Sequence, residues 1–333
     1  MYGKVVYVTI ISEKDTIFTD YNISMREFSY FCVMEKDTVI FNTVSDYCDY
    51  FGFGVQHPLV SVVRFTHDGP VVHSHSTKWG LYALFLKQTK GCTINYGKTR
   101  YDYDDQSVVC FGPGQITQTI INPDVAMPES IGLIFHPDLL FRTSLAQKMR
   151  QYTFFGYESR EALHLSAEER SNVEDCLNRI AKELVHPVDK FSKSLIASNI
   201  ELLLDYCLRY YSRQFEVREV LNAGVMAKFD ELLDVYVNNP EACAQGLPNV
   251  KFFADSMALS ANYFGDLVKR EAGVTAQDYI QDKLLVRAKS LLLNEGNNVS
   301  QTAYSLGFQY PQHFIRFFKR KTGVTPREFI NAN

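Results

Sequence analysis

Gln312, Arg316 and Lys319 stand at i, i+4 and i+7 near the end of a 333-residue chain. On an α-helix such residues share one side. Their types suit one kind of target. A glutamine amide can bond adenine N6 and N7 together, and an arginine guanidinium can do the same to guanine O6 and N7. Arg320 and Lys321 follow Lys319, and phosphates would be met there by charge alone. The stretch 307–329 carries Arg316, Lys319, Arg320, Lys321 and Arg327 against a single acid, Glu328, although the whole chain has formal net charge −4. The competing reading is a solvated basic helix face, which charge runs on helices often form.

The elements that position these residues occur twice. KREAGVTAQDYI (269–280) recurs 50 residues later as KRKTGVTPREFI (319–330). Phe264 falls on Phe314, Gly273 on Gly323 and Thr275 on Thr325. Upstream the offset is 49, with Ala254 on Ala303 and Leu259 on Phe308, so one residue is gained at Gln309–Tyr310. Inside a helix an insertion would rotate every later side chain by about 100°. Each copy is therefore helix, turn, helix, and the repeat describes the architecture better than local propensity does.

Local signals agree. Ser260 suits an N-cap and Gly273 a helix stop. Phe264, Leu267 and Val268 have buried-face spacing, repeated by Phe314, Phe317 and Phe318. In the second copy Ser300 is expected to cap a helix ended by Gly307, and Pro311 fits the first position of the next helix. Thr275 with Asp278 resembles a capping box. It opens a connecting helix to about residue 294 with Ile280, Leu284, Ala288, Leu291 and Leu292 on one side. Its length, about 28 Å at 1.5 Å per residue, approaches the spacing of adjacent major grooves, about 34 Å.

These segments, AYSLGFQYPQHFIRFFKRKTGVTPREF and the weaker ADSMALSANYFGDLVKREAG, resemble the DNA-binding domain of AraC/XylS-type transcriptional regulators over 225–333. The resemblance implies two helix-turn-helix units whose second helices enter the major groove of double-stranded DNA. Carried over by position, the base-reading residues are Asn262, Gly265 and Asp266 in the first unit and Pro311, Gln312, His313 and Arg316 in the second. The phosphate set is Lys269, Arg270, Lys319, Arg320 and Lys321. Three positions depart from the pattern: Gly265 has no side chain, Asp266 repels phosphate, and Tyr310 sits at an N-cap where a small polar residue is usual.

Short β-branched and aromatic runs separated by Gly, Asp and Asn turns fill 39–136, as in an antiparallel barrel or sandwich. His73-Ser74-His75 resembles the HxH of a cupin barrel, and the family commonly carries a cupin-like sensor domain. Metal cupins add an acid and a later histidine; here Lys78 stands near the acid position, and no histidine follows Phe111-Gly112-Pro113-Gly114. Catalytic sites generally need three ligands. The expectation is thus no metal, no cofactor and no catalytic residue. His73 and His75 instead line a ligand pocket with Trp79 and Tyr82, or face solvent near the barrel mouth.

Residues 137–211 read as a helical subdomain. Ser166 and Glu169 form a capping box, and a second helix places Leu195, Leu202, Leu203, Tyr206 and Tyr210 on a stripe. That stripe serves either packing on the barrel or a dimer contact. Residues 212–224 are polar and read as the linker. Residues 1–38 read as an extension, with Met34 an alternative start. Seven scattered cysteines read as reduced thiols. No stretch reaches 18 apolar residues, and the start does not read as a signal peptide.

The expected protein is an α+β, two-domain, cytoplasmic regulator. A β-barrel with a flanking helix pair senses a small molecule, and an all-α domain binds DNA. A homodimer and a contact with RNA polymerase are the further partners expected, and no membrane. The rivals are a cupin-type enzyme with an accessory DNA-binding module and a ligand-independent dimeric regulator.

Overall fold

The computed structural model describes residues 7–10, 38–66, 75–88, 95–96, 99–100, 106–120, 129–158, 161–217, 219–293 and 297–332. The chain divides into two units, Met1–Glu216 and Val217–Asn333. The first is β-rich and the second helical.

The first unit contains β1 (Tyr7–Ile10), β2 (Thr38–Phe41), α1 (Val44–Phe51), β3 (Val60–Phe65), β4 (His75–Trp79) and β5 (Tyr82–Gln88). The hairpin β6 (Asn95–Tyr96) and β7 (Thr99–Arg100) follows, then β8 (Gln106–Phe111), β9 (Ile116–Ile120), β10 (Glu129–Phe135) and β11 (Leu163–His164). One sheet has the order β1-β9-β4-β2 and the other β11-β8-β5-β10-β3. Described pairings are antiparallel except β2 with β4, which run parallel with Phe41 opposite Trp79. This departs from the all-antiparallel pairing expected of a barrel or sandwich over 39–136. A parallel pair requires a crossover connection, and α1 with β3 lies between β2 and β4 in the chain.

Helix α1 also decides what fills the interior. Thr43 caps it, accepting from Asp46 N at 3.0 Å while Asp46 accepts from Thr43 N at 2.8 Å. Its Tyr47 and Phe51 join Phe41 and Trp79 from one sheet and Phe65, Phe85 and Phe111 from the other in a single cluster. The opposite face of β5 is covered too. Tyr82 stacks on Phe135 at 5.0 Å and meets the edge of Phe155 at 5.0 Å.

Three longer or shorter helices complete this unit: α2 (Leu145–Lys148), α3 (Ala167–Val185) and α4 (Ser192–Val217). The Ser166–Glu169 capping box is present, with bonds of 2.8 and 3.2 Å. The expected stripe on α4 is buried only in part, at Leu203 and Tyr210. Ile196, Ile200, Leu203, Leu204, Cys207 and Tyr211 are buried, while Leu195 is 47% and Leu202 40% exposed. The helix is apolar on two sides, and the sequence pattern alone does not choose between them. The stretch 212–224, read from sequence as a linker, is helical on both sides of residue 218. Helix α4 ends at Val217 and the next described helix is α5 (Glu219–Asn238). Among the described residues five cysteines are buried and unpaired, and no helix is long and apolar enough to cross a membrane.

The second unit continues with α6 (Pro240–Ala244), α7 (Val250–Ser256), α8 (Ala261–Ala272), α9 (Ala276–Leu293), α10 (Val299–Ser305), α11 (Pro311–Thr322) and α12 (Pro326–Ala332). The sequence repeat is a structural one. Helix α7 begins 49 residues before α10, and α8 and α11 match end to end at an offset of 50. Phe264, Leu267 and Val268 are buried on α8, as are Phe314, Phe317 and Phe318 on α11. Ile280, Leu284, Ala288, Leu291 and Leu292 bury the expected side of α9. Its end lies at Leu293, and residue 294, where the sequence placed the end, falls outside the described residues.

The turn inside each pair has one left-handed residue, Ala258 at φ 54° and Gly307 at φ 88°, again 49 apart. The inserted residue therefore falls after Leu259 and Phe308, as the repeat requires. Glycine at 307 is required twice over. A Cβ there would lie 2.3 Å from the Gly246 carbonyl oxygen, closer than any side chain tolerates.

Candidate nucleic-acid interface

Helix α11 starts at Pro311, whose missing N–H costs nothing at that position. Tyr310 precedes it with no side-chain cap; its ring instead packs edge-on to His313 at 5.5 Å. The helix ends at Gly323, φ 84°, whose N–H donates to the Lys319 carbonyl at 2.8 Å. With the three phenylalanines buried, the other side is set. Gln312, His313, Arg316, Lys319 and Arg320 are exposed and Pro311 is half-buried. The cations near the C-terminus are also favoured by the helix dipole.

A cleft of about 470 Å³ runs between α11 and α9. Buried Leu284, Phe308 and Phe317 line it together with His313, Arg316 and Arg320. Its α9 side brings Gln277 and Gln281, which sequence reading passed over. Their signal was available: 277, 281 and 284 are i, i+4 and i+7 on a helix already recognised. Arg320 donates to Gln281 Oε1 at 3.4 Å.

Lys321 departs from its expected place among phosphate contacts. Its ammonium lies 3.0 Å from Asp282 and 3.4 Å from Asp278 on α9, and its side chain is only 19% exposed. Hydrogen bonding to Asp282 raises the lysine pKa against the opposing effect of burial. The Thr275 hydroxyl, and after it Lys321, lowers that of Asp278. A charge already neutralised by two carboxylates has little left to release counterions from DNA. The equivalent position in the first copy is an anchor of opposite polarity. Glu271 accepts from Asn222 Nδ2 of α5 at 3.5 Å. A further lysine, Lys283, ties α9 to Asp230 and Asp234 of α5 at 3.3 and 3.2 Å.

In the first copy Ser260 caps α8, accepting from Tyr263 N at 3.1 Å. Gly273, φ 73°, ends it on the Lys269 carbonyl at 3.0 Å. Asn262, Lys269 and Arg270 are exposed; Gly265 and Asp266 are half-buried. The cap of α10 is a correction. Asn298, not Ser300, accepts from Gln301 N at 2.9 Å, and Gln301 Oε1 accepts from Asn298 N at 3.0 Å. Asn249 does the same for α7 from 49 residues earlier, accepting from Phe252 N at 2.9 Å. The repeat itself carried that signal.

Of the four residues expected around a ligand, the side chains of Trp79 and Tyr82 alone lie among the described residues. His73, and the side chain of His75, lie outside the described residues. Trp79 is core: it stacks on Phe111 at 5.2 Å, and its Nε1 donates to Thr117 Oγ1 at 2.9 Å. Tyr82 sits on the other face of the five-stranded sheet, against Phe135 and Phe155. Alternation along β5 separates Tyr82 from the aromatic cluster that Phe85 joins. Among the described residues no group of three or more His, Cys, Asp or Glu could hold a metal ion.

The model of a family described as "Helix-turn-helix domain" matches residues 253–332. The chain is 37% identical over 75 residues to the HTH-type transcriptional activator RhaS of Escherichia fergusonii, covering 22% of this chain and 27% of that one. It is 33% identical over 70 residues to the HTH-type transcriptional regulator YobQ of Bacillus subtilis, covering 21% and 29%. The chain thus spans under a third of the length of these relatives. A solved transcriptional regulator of Chromobacterium violaceum, described as having an AraC-type DNA-binding domain, is 24% identical with a TM-score of 0.28, covering 33% of this chain and 94% of that one. Residues 253–332 therefore match a helix-turn-helix domain, and HTH-type transcriptional regulators are this chain's relatives over that stretch.

Proposed function

We propose that the chain is a sequence-specific, DNA-binding transcriptional regulator. The observation that carries this reading is α11, which buries its phenylalanines and exposes Gln312, Arg316 and Lys319 together. Two helix-turn-helix units, α7–α8 and α10–α11, place α8 and α11 in successive major grooves. Helix α9, 18 residues or about 27 Å long, is the spacer. Pro311, Gln312, His313 and Arg316 face bases, with Asn262, Gly265 and Asp266 in the first unit. Lys269, Arg270, Lys319 and Arg320 meet phosphates.

The β-rich unit is the seat of control by a small molecule, and a second copy docks on α4. The exposed Leu195 and Leu202 support that docking, since the core does not use them. RNA polymerase is the further partner, and the cytoplasm the site of action. Capture of fragmented genomic DNA by the purified chain tests the function. Enrichment of a few loci sharing a motif is expected; uniform recovery contradicts it. A thermal-shift screen with metabolites tests the sensor, because a ligand that binds only the folded form raises the midpoint.

A further inference from the structure

The two copies share their helix bounds and buried triplets and differ in charge at two helix positions, Asp266 against Arg316 and Glu271 against Lys321, of which only the first lies on the candidate base-reading side. Helices α8 and α11 match residue for residue at an offset of 50. Both end on a left-handed glycine bonded to the carbonyl of a lysine, Lys269 or Lys319. Lys269 and Arg270 thus occupy the places of Lys319 and Arg320, so the cations near the helix end are retained. Asn262 occupies the place of Gln312, an amide for an amide. Asp266 occupies the place of Arg316.

That exchange inverts the hydrogen bonding available at one position. A guanidinium only donates, and an ionised carboxylate only accepts. In the major groove guanine offers the acceptors N7 and O6, whereas cytosine offers the N4 amino donor. A carboxylate on this side of the helix is repelled by phosphate, so a base amino group is the DNA group left for it. Room exists beside it. A Cβ added at Gly265 would have no atom within 4 Å, and the copy has Ile315 at that place.

We infer that Asp266 selects a cytosine in the first half-site, where Arg316 selects a guanine at the corresponding position of the second. A protein with an internal repeat would then bind two boxes that are not copies of each other. The inference rests on the DNA-binding reading above and assigns the specificity of its first unit.

Selection from randomised duplex DNA tests it, using the full chain and the variants Asp266→Arg, Asp266→Asn and Arg316→Asp. The wild type should enrich two boxes about 10 base pairs apart, with cytosine at one position of the first and guanine at its counterpart. Asp266→Arg should replace that cytosine by guanine and leave the second box alone. Measured on the two duplexes, the preference should move by about 5- to 150-fold. Arg316→Asp should make the converse change in the second box. If Asp266→Arg melts abnormally by circular dichroism, Asp266→Asn decides, since an amide should exchange cytosine for adenine. A first box with no preference at this position overturns the inference, as does a cytosine that survives both Asp266 variants. Enrichment of the second box alone overturns it and leaves the DNA-binding reading standing. No enrichment of any duplex overturns both.

Discussion

Arg316 and Lys321 are five residues apart on one helix, and the structure gives them different work. Arg316 is exposed at the lip of the cleft. Lys321 is tied to Asp278 and Asp282. Periodicity made the first legible, because a helix face depends only on spacing within the helix. It could not reveal the second, because the partners lie 39 and 43 residues away. The consequence is measurable in salt. Lys319→Ala should lower the slope of log affinity against log salt by about one unit. Lys321→Ala should leave the slope unchanged and instead reduce the melting temperature, because it removes a contact between α11 and α9. Equal slope changes for both lysines would return Lys321 to the phosphate set.

At the scale of elements, the turn between the paired helices carries the clearest energetic statement. Ala258 and Gly307 hold the same left-handed position. A left-handed non-glycine residue costs roughly 1–2 kcal/mol. Gly307→Ala adds that strain and drives a Cβ into the Gly246 carbonyl, so it should destabilise by at least about 2 kcal/mol. Ala258→Gly relieves the strain but frees the unfolded chain, so its effect should stay within about 1 kcal/mol. Denaturant melts of the two variants read the difference, and equal effects would contradict the close approach at 307. Caps make a second test. Asn298→Ala should cost about 1 kcal/mol and Ser300→Ala almost nothing.

The sequence announced the repeat, the glycine stops and the capping box at Ser166 because each is local chemistry. It did not show which apolar side of α4 is buried, since Leu195 and Ile196 are equally apolar and only packing distinguishes them. Nor did it show that α1 joins the aromatic cluster of the first unit. Phe41, Phe51 and Phe111 meet there from distant parts of the chain.

At the scale of the whole molecule, two units carry two kinds of legibility. The helical unit could be read closely because a duplicated pattern checks itself, and the exposed polar face of α11 follows once the phenylalanines are buried. The β-rich unit could not. Its strands were visible, but pairing is a long-range property, and the parallel β2–β4 contact has no local signature. The separation of Trp79 from Tyr82 was hidden for the same reason: they are three apart in sequence and lie on opposite sides of a sheet layer.

The central claim, sequence-specific DNA binding through α11, is tested most directly by one comparison. Dissociation constants for the selected duplex and for a scrambled duplex of equal length are measured at one salt concentration, for the wild type and for Arg316→Ala. Specific binding should exceed non-specific by about 10³-fold or more. Arg316→Ala should cost about 1–3 kcal/mol on the selected duplex and little on the scrambled one. Equal affinity of the wild type for the two duplexes would contradict the claim, and an equal loss on both would make Arg316 a phosphate contact.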